Sequence, residues 1–509
     1  MARPARWIAV LLMIASLLVG VGSPAMAQSA NPINHIVVIY LENHSFDNLY
    51  GGFPGANGLL NAGAAATQVD MSGAPYATLP QPTNTSVKPL GPDARFPANL
   101  PNKPFNIDEF VPLNQQTGDL VHRFYQEQMQ IDGGKMDKFA AVSDAAGLTM
   151  GYYETTRLPL YSYARQYTLA DNFFHGAFGG SYLNHIWLVC ACAPTFPNAP
   201  ADMVAQVDGT GAMVKDGAVT PDGYSINTSF TVYAPHPSTV AADHLVPPQT
   251  KATIGDRLNE KGISWAWYSG GWNDALAGRP DKLFQFHHQP FAYFQNYGDG
   301  TAGRQQHLKD ESELYNAIQT NTLPAVAFVK PLGEENEHPG YTDTARGERH
   351  VAELIDLLQK SPAWKDMAII VTYDENGGFW DHVAPPKMDQ WGPGSRVPAL
   401  IISPYARKGY VDHSPMDTTS ILAFIEGRYG LAPLGTREAQ TGNMLSAFDF
   451  SQSPGGQPTA SGGQPASLPN TGDGPGAPLA ALVALGLLLG AGGLVARRRA
   501  RRYGEPRRG

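Results

Sequence analysis

The sequence predicts an α/β sandwich with a central, mostly parallel sheet and an insertion or lid. Three observations predict it. First, five apolar runs are continuous rather than alternating, as expected of strands covered on both faces. They are "HIVVIYL" (35–41), "ISWAWYS" (263–269), "AVAFVK" (325–330), "AIIVTY" (368–373) and "PALIIS" (398–403). Second, helical patterns lie between them, and such alternation gives layered α/β domains. Third, the run from Pro194 to Thr250 is rich in Pro, Gly and Thr, and it reads as the insertion.

The ends read separately. Residues 1–27 carry Arg3 and Arg6, an apolar stretch and Ala25-Met26-Ala27, the pattern of a signal peptide. Residues 28–447 form the globular head. Residues 448–478 are a Ser/Gly/Pro-rich stalk with LPNTG at 468–472, followed by an apolar segment at 479–496 and a basic tail at 497–509. The apolar segment is long enough to hold the chain in a membrane before processing. LPNTG, apolar segment and basic tail in that order resemble a sortase cell-wall sorting signal. That resemblance implies cleavage after Thr471, with a sortase and a cell-wall polymer as partners. The expected location is extracellular, anchored to wall or membrane.

Removing the two ends takes away nine basic and two acidic side chains. That leaves 27 basic against 43 acidic residues, a net charge of −16. A surface that acidic argues against nucleic-acid binding as the main role. The only cysteines, Cys190 and Cys192, are expected to be two small buried residues, because a bridge between i and i+2 fits an extended segment poorly.

Helical elements frame the strands. "GERHVAELIDLLQK" places Val351, Leu354, Ile355 and Leu358 on one face and stops at Ser361-Pro362. "DTTSILAFIEGRYG" has Asp417 as N-cap and Gly430 as C-terminal stop.

The chemistry is expected where strands end, since open α/β sheets bind ligands beyond the carboxyl ends of their strands. Glu42-Asn43 follows the first run, and Asp374-Glu375 follows the fourth, with Gly377-Gly378 behind it. Hard oxygen ligands from two strand ends suggest a cation. Ser181, after Gly179-Gly180 and before a helical run, can be a nucleophile or an N-cap. Asn43-His44-Ser45 also scores as a glycosylation sequon, which at a strand end reads as a false positive.

"ENHSFDNLYGGFPGANG", "FFHGAFGGSYLNH" and "VTYDENGGFWDHVAPP" resemble the signature blocks of the bacterial phosphoesterase family. That family contains phospholipase C enzymes and acid phosphatases and belongs to the alkaline phosphatase superfamily. Gly-Gly-Ser followed by Asn-His is closest to the acid phosphatase branch. The resemblance implies an alkaline-phosphatase-like α/β/α sandwich. It also implies one divalent metal ion, of unknown identity, held by Glu42, Asn43, Ser181, Asp374 and Glu375. Ser181 is then the nucleophile, with His122, His288 and His350 as catalytic histidines. Asn43, His122, His287, His288 and His350 hold the phosphate. His382 is an outer residue, with His338 close behind it, and Asp381 can equally be a structural partner.

The expected activity is a phosphomonoesterase working through a phosphoserine, on a phosphate ester substrate. The alternatives are a phospholipase C cleaving lipid phosphodiesters and a non-catalytic surface binding protein on the same scaffold.

Overall fold

The computed structural model describes residues 31–435 and 437–452. The expected signal peptide, LPNTG motif, apolar segment and basic tail lie outside the described residues. Among the described residues, no helix is long and apolar enough to cross a membrane.

The sheet has eight strands: β1 (His35–Leu41), β2 (Thr168–Ala170), β3 (Trp265–Ser269), β4 (Leu308–Asp310), β5 (Val326–Lys330), β6 (Met367–Tyr373), β7 (Ala399–Ile402) and β8 (Tyr410–Asp412). Their order is β4-β3-β5-β1-β6-β7-β2-β8. Every pair is parallel except those of β7, which runs antiparallel to β6 and β2. All five expected runs are strands of this sheet. The three unforeseen ones are three residues each, too short to show a period. In β1, Ile36 to Leu41 are buried consecutively, so both faces of the sheet are covered there.

Register sets the site. Leu41 pairs with Tyr373, so Glu42 and Asp374 leave the sheet side by side. Ile39 pairs with Val329, which brings Lys330 level with the end of β1 from the other side.

Four helices matter most: α1 (Phe124–Ile131), α2 (Ser181–Cys190), α3 (Thr344–Lys360) and α4 (Thr418–Tyr429). The apolar face of α3 is buried as its spacing requires, and the helix ends at Ser361. Asp417 caps α4 by accepting from the Thr419 amide at 2.7 Å, and Gly430 ends it with φ 62°. Phe448 stacks on Phe424 with ring centroids 5.2 Å apart, so the packed domain continues past the expected boundary at Ala447.

The segment from Pro194 to Thr250 is packed against the body. Val219, Ile226 and Val246 are fully buried. Asn227 Oδ1 accepts from the Phe124 amide at 3.1 Å, and Asp216 pairs with Arg123, so this segment braces the start of α1.

The cysteine expectation is corrected. Cys190 and Cys192 are buried as expected, but they form a disulfide. The reason is local backbone. Cys190 ends α2 and Ala191 is left-handed (φ 47°), so the chain reverses and the two Cα atoms come within 5.2 Å. An extended segment would have kept them apart.

Beneath α3, Glu337 and Glu348 are buried together. Glu337 Oε2 accepts from Tyr373 Oη at 2.8 Å, and Glu348 Oε2 accepts from the Leu160 amide at 2.6 Å. The remaining oxygen of each has no donor. Burial pushes Glu348 up to about 8, and burial plus Glu348 holds Glu337 well above the usual carboxylate range. The folded state therefore keeps protons that the unfolded chain releases above the ordinary glutamate range. Stability is expected to fall as pH rises from about 4.5 to about 8, by up to ~1.4 kcal/mol per pH unit for each proton retained. Melting curves of wild type and Glu348→Gln across this window check it. The wild-type slope should flatten in the variant, and equal slopes would refute the assignment.

Candidate active site

β1, β5 and β6 end at one edge of the sheet, and α2 points its first residue at that edge. Gly180 is the N-cap of α2 and no side chain caps the helix, so Ser181 is the first helical residue and its role as an N-cap is ruled out. Ser181 Oγ donates to Glu42 Oε2 at 3.0 Å and lies 3.4 Å from Asn43 Oδ1. The uncapped amides of the first turn favour an anion beside that hydroxyl.

Asn43 has a left-handed backbone (φ 65°), which turns the chain sharply out of β1. Its amide donates to Asp374 Oδ1 at 3.2 Å. Gly377 is required behind it, because a Cβ there would sit 2.2 Å from the Asn43 carbonyl oxygen. Asn43 is fully buried, in keeping with the sequon being a false positive.

Lys330 Nζ, also fully buried, lies 2.5 Å from Glu42 Oε1 and 3.4 Å from the Leu41 carbonyl. His288 Nε2 lies 2.6 Å from the same Glu42 oxygen. Burial alone would raise the Glu42 carboxyl, but Lys330 and His288 hold it well below the usual range. Burial pushes His288 down to about 4 although Glu42 pulls the other way. We read Glu42 as ionised, because the ammonium of Lys330 alone suffices to keep it so. Asp374 is pushed up to about 7 by burial and by Glu42, and Glu375 is held well above the usual range by burial and by Asp374.

The histidines show their tautomers through their partners. His122 Nδ1 and His338 Nδ1 face the carbonyls of Leu120 and Pro339 at 2.5 and 2.6 Å, so each must donate there. Their Nε2 atoms then point inward at Asn43 Nδ2, at 3.4 and 3.1 Å. His185 Nδ1 faces the Ser181 carbonyl at 2.7 Å, and its ring stacks on His288 with centroids 5.0 Å apart. His287 packs edge-on to His288 at 4.8 Å, with its Nδ1 unpartnered. Burial lowers His185, His287 and His338, so all three are neutral unless an anion arrives.

The expected cluster is thus brought together around Glu42, Asn43, Ser181, Asp374, Glu375, His122, His287 and His288. His350 is a correction. Its Nε2 lies 2.7 Å from Glu311 Oε1 and its Nδ1 3.4 Å from Glu335 Oε2, in a separate cluster. It sits on α3 and its ring is occupied by two carboxylates that follow β4 and β5. His338, expected only as an outer residue, stands instead 4.0 Å from Glu42 and beside Asn43. Sequence reasoning passed over Lys330 and His185. Lys330 ended an expected strand, and a lysine closing an apolar run level with two acid-tipped strands was the available signal. His382 and Asp381 belong to a structural network around the buried Arg396: Asp381 Oδ1 accepts from Arg396 Nε at 2.8 Å, and His382 Nδ1 lies 2.6 Å from Asp47.

The donor set fits a divalent cation. Asp374 Oδ2 and Glu375 Oε1 are buried and lack hydrogen-bond donors. Burial and mutual repulsion push Asp374 and Glu375 toward their neutral forms, and a divalent cation would stabilise their ionised forms. Glu42, His185 and His288 also place ligand-type atoms within 4.8 Å of one another, as do Asp119, His122 and His338. In the first of these groups Lys330 already neutralises Glu42, whereas Asp374 Oδ2 and Glu375 Oε1 have no hydrogen-bond partner.

A buried serine at a helix N-terminus, buried carboxylates and a ring of imidazoles suit a hydrolase acting on phosphoric ester bonds. The chain belongs to the Phosphoesterase family, whose profile matches residues 33–432. It is 26% identical over 463 residues to phospholipase C A of Mycobacterium tuberculosis, covering 83% of this chain and 78% of that one. It is 23% identical over 487 residues to a non-hemolytic phospholipase C of Pseudomonas aeruginosa, covering 87% of this chain and 61% of that one. A solved protein in the alkaline phosphatase superfamily from Vibrio parahaemolyticus matches 65% of this chain and 73% of that one at 11% identity. Its TM-score is 0.32, a likeness too slight to argue from.

Proposed function

We propose that this phosphoesterase is a phosphomonoesterase that works through a phosphoserine on Ser181. The observation that carries the reading is the position of Ser181 Oγ, 3.0 Å from an ionised Glu42 and at the open end of α2. Glu42 Oε2 accepts the hydroxyl proton and orients Oγ for in-line attack on phosphorus. A divalent metal held by Glu42, Asn43, Ser181, Asp374 and Glu375 would lower the hydroxyl pKa and offset phosphate charge. His338, neutral at rest, takes up charge beside the phosphoryl dianion and donates from Nε2 to its oxygens, while His288 holds Glu42 through its own Nε2. His122 has 18% of its side chain exposed, the most open of the histidines around Ser181, so its Nε2 can take up a proton from solvent and pass it to the departing alcohol. Water then releases phosphate from Ser181.

Several polar donors enclose the serine, which suits the three free oxygens of a monoester. The names of the relatives favour the second reading, a phospholipase C cleaving lipid phosphodiesters. Assays of p-nitrophenyl phosphate and p-nitrophenyl phosphorylcholine side by side separate the two. Monoester turnover is expected to dominate, and diester turnover with little monoester activity would overturn the reading. Export and attachment to wall or membrane are proposed with it, on the signal peptide and the LPNTG motif of the sequence.

A further inference from the structure

Glu127 on α1 is 1% exposed, yet it has no part in the chemistry above. Its carboxylate gathers four donors. Oε2 accepts from the Gly179 amide at 2.6 Å. Oε1 accepts from the Ser395 amide, Ser395 Oγ and His175 Nε2, each at 2.9 Å. His175 Nδ1 lies 3.3 Å from Asn184 Oδ1, which also accepts from the Ala177 amide at 2.8 Å. Both ring nitrogens of His175 therefore face acceptors, so it is an imidazolium paired with Glu127. The environment agrees: although burial opposes it, Glu127 raises His175, and His175 lowers Glu127.

This pair holds the loop that carries Ser181. Asn184 Nδ2 donates to the carbonyls of Ala177, Gly179 and Gly180 at 2.9, 3.1 and 3.2 Å. Gly179 is left-handed (φ 87°), and a Cβ there would lie 2.4 Å from the Phe124 nitrogen, so the backbone of α1 touches the loop directly. We infer that Glu127, paired with His175, is a positioning residue for catalysis: by fixing the Gly179 amide two residues before Ser181, it sets where Oγ stands against Glu42 and the phosphoryl group. The inference rests on Ser181 being the nucleophile.

A merely structural ion pair would make no distinction among its hydrogen bonds, whereas a positioning role makes the Gly179 bond special. In Glu127→Gln the one amide oxygen stays with the three donors of Ser395 and His175, which turns the NH2 toward the Gly179 amide, so the loop loses its anchor. Ser395→Ala removes a bond from the same carboxylate and leaves Gly179 held. The test measures kcat and KM for p-nitrophenyl phosphate in the full-length protein. Glu127→Gln should lose about 100-fold in kcat, with KM within about threefold. Glu127→Asp should fall between this and wild type, and Ser395→Ala should keep kcat within about twofold. Equal losses in Glu127→Gln and Ser395→Ala, or wild-type kcat in Glu127→Gln, would overturn the inference. If Glu127→Gln does not fold, His175→Gln is read in the same way, and an unchanged kcat there overturns it. Ser181→Ala, run alongside, separates the two failures: retained activity in that variant would sink the nucleophile itself.

Discussion

Ser181→Ala is expected to fold and to lose phosphoesterase activity by about 10⁴-fold or more, the scale seen when a covalent nucleophile is removed. Alanine is the best helix former and suits the first turn of α2, so circular dichroism should be unchanged. The loss should fall on kcat, because Lys330, Asn43 and the histidines still form the pocket. Steady-state kinetics at saturating substrate checks it. A variant within about tenfold of wild type would mean that another group attacks phosphorus.

Lys330→Met should be the most damaging change to stability. Lys330 lies fully buried against Glu42, and its charge also reaches Asp374. Methionine fills the same space but leaves Glu42 with no fixed positive partner. Breaking one side of a buried pair costs about 3–5 kcal/mol, here seen as a lower urea midpoint with an unchanged m-value. Added divalent cation should recover part of it, since binding to the folded state alone stabilises by mass action. A loss under about 1 kcal/mol would show that Lys330 does not set the charge of the site.

The legible parts of the fold were those with long, uniform signals. The five apolar runs became strands because burial on both faces leaves no polar position to break them. The acids after two of them were legible as neighbours because parallel strands deliver their ends to one edge. Other features depended on backbone geometry that the sequence does not display. The disulfide needed a left-handed Ala191. His350 stands on a helix, and only the rotation of that helix decides that it meets Glu311 and Glu335. Glu127 and His175 are 48 residues apart and meet only because Gly179 lets α1 approach. Lys330 was visible as a residue, but its role depends on the register of β5 against β1.

The central claim is attack on phosphorus by Ser181 followed by hydrolysis of a phosphoserine. The most direct measurement is the stereochemical course at phosphorus, with a chiral, isotopically labelled phosphorothioate ester turned over by the purified enzyme. Two in-line displacements predict net retention of configuration. Net inversion would mean that water attacks the ester directly, and would contradict the account.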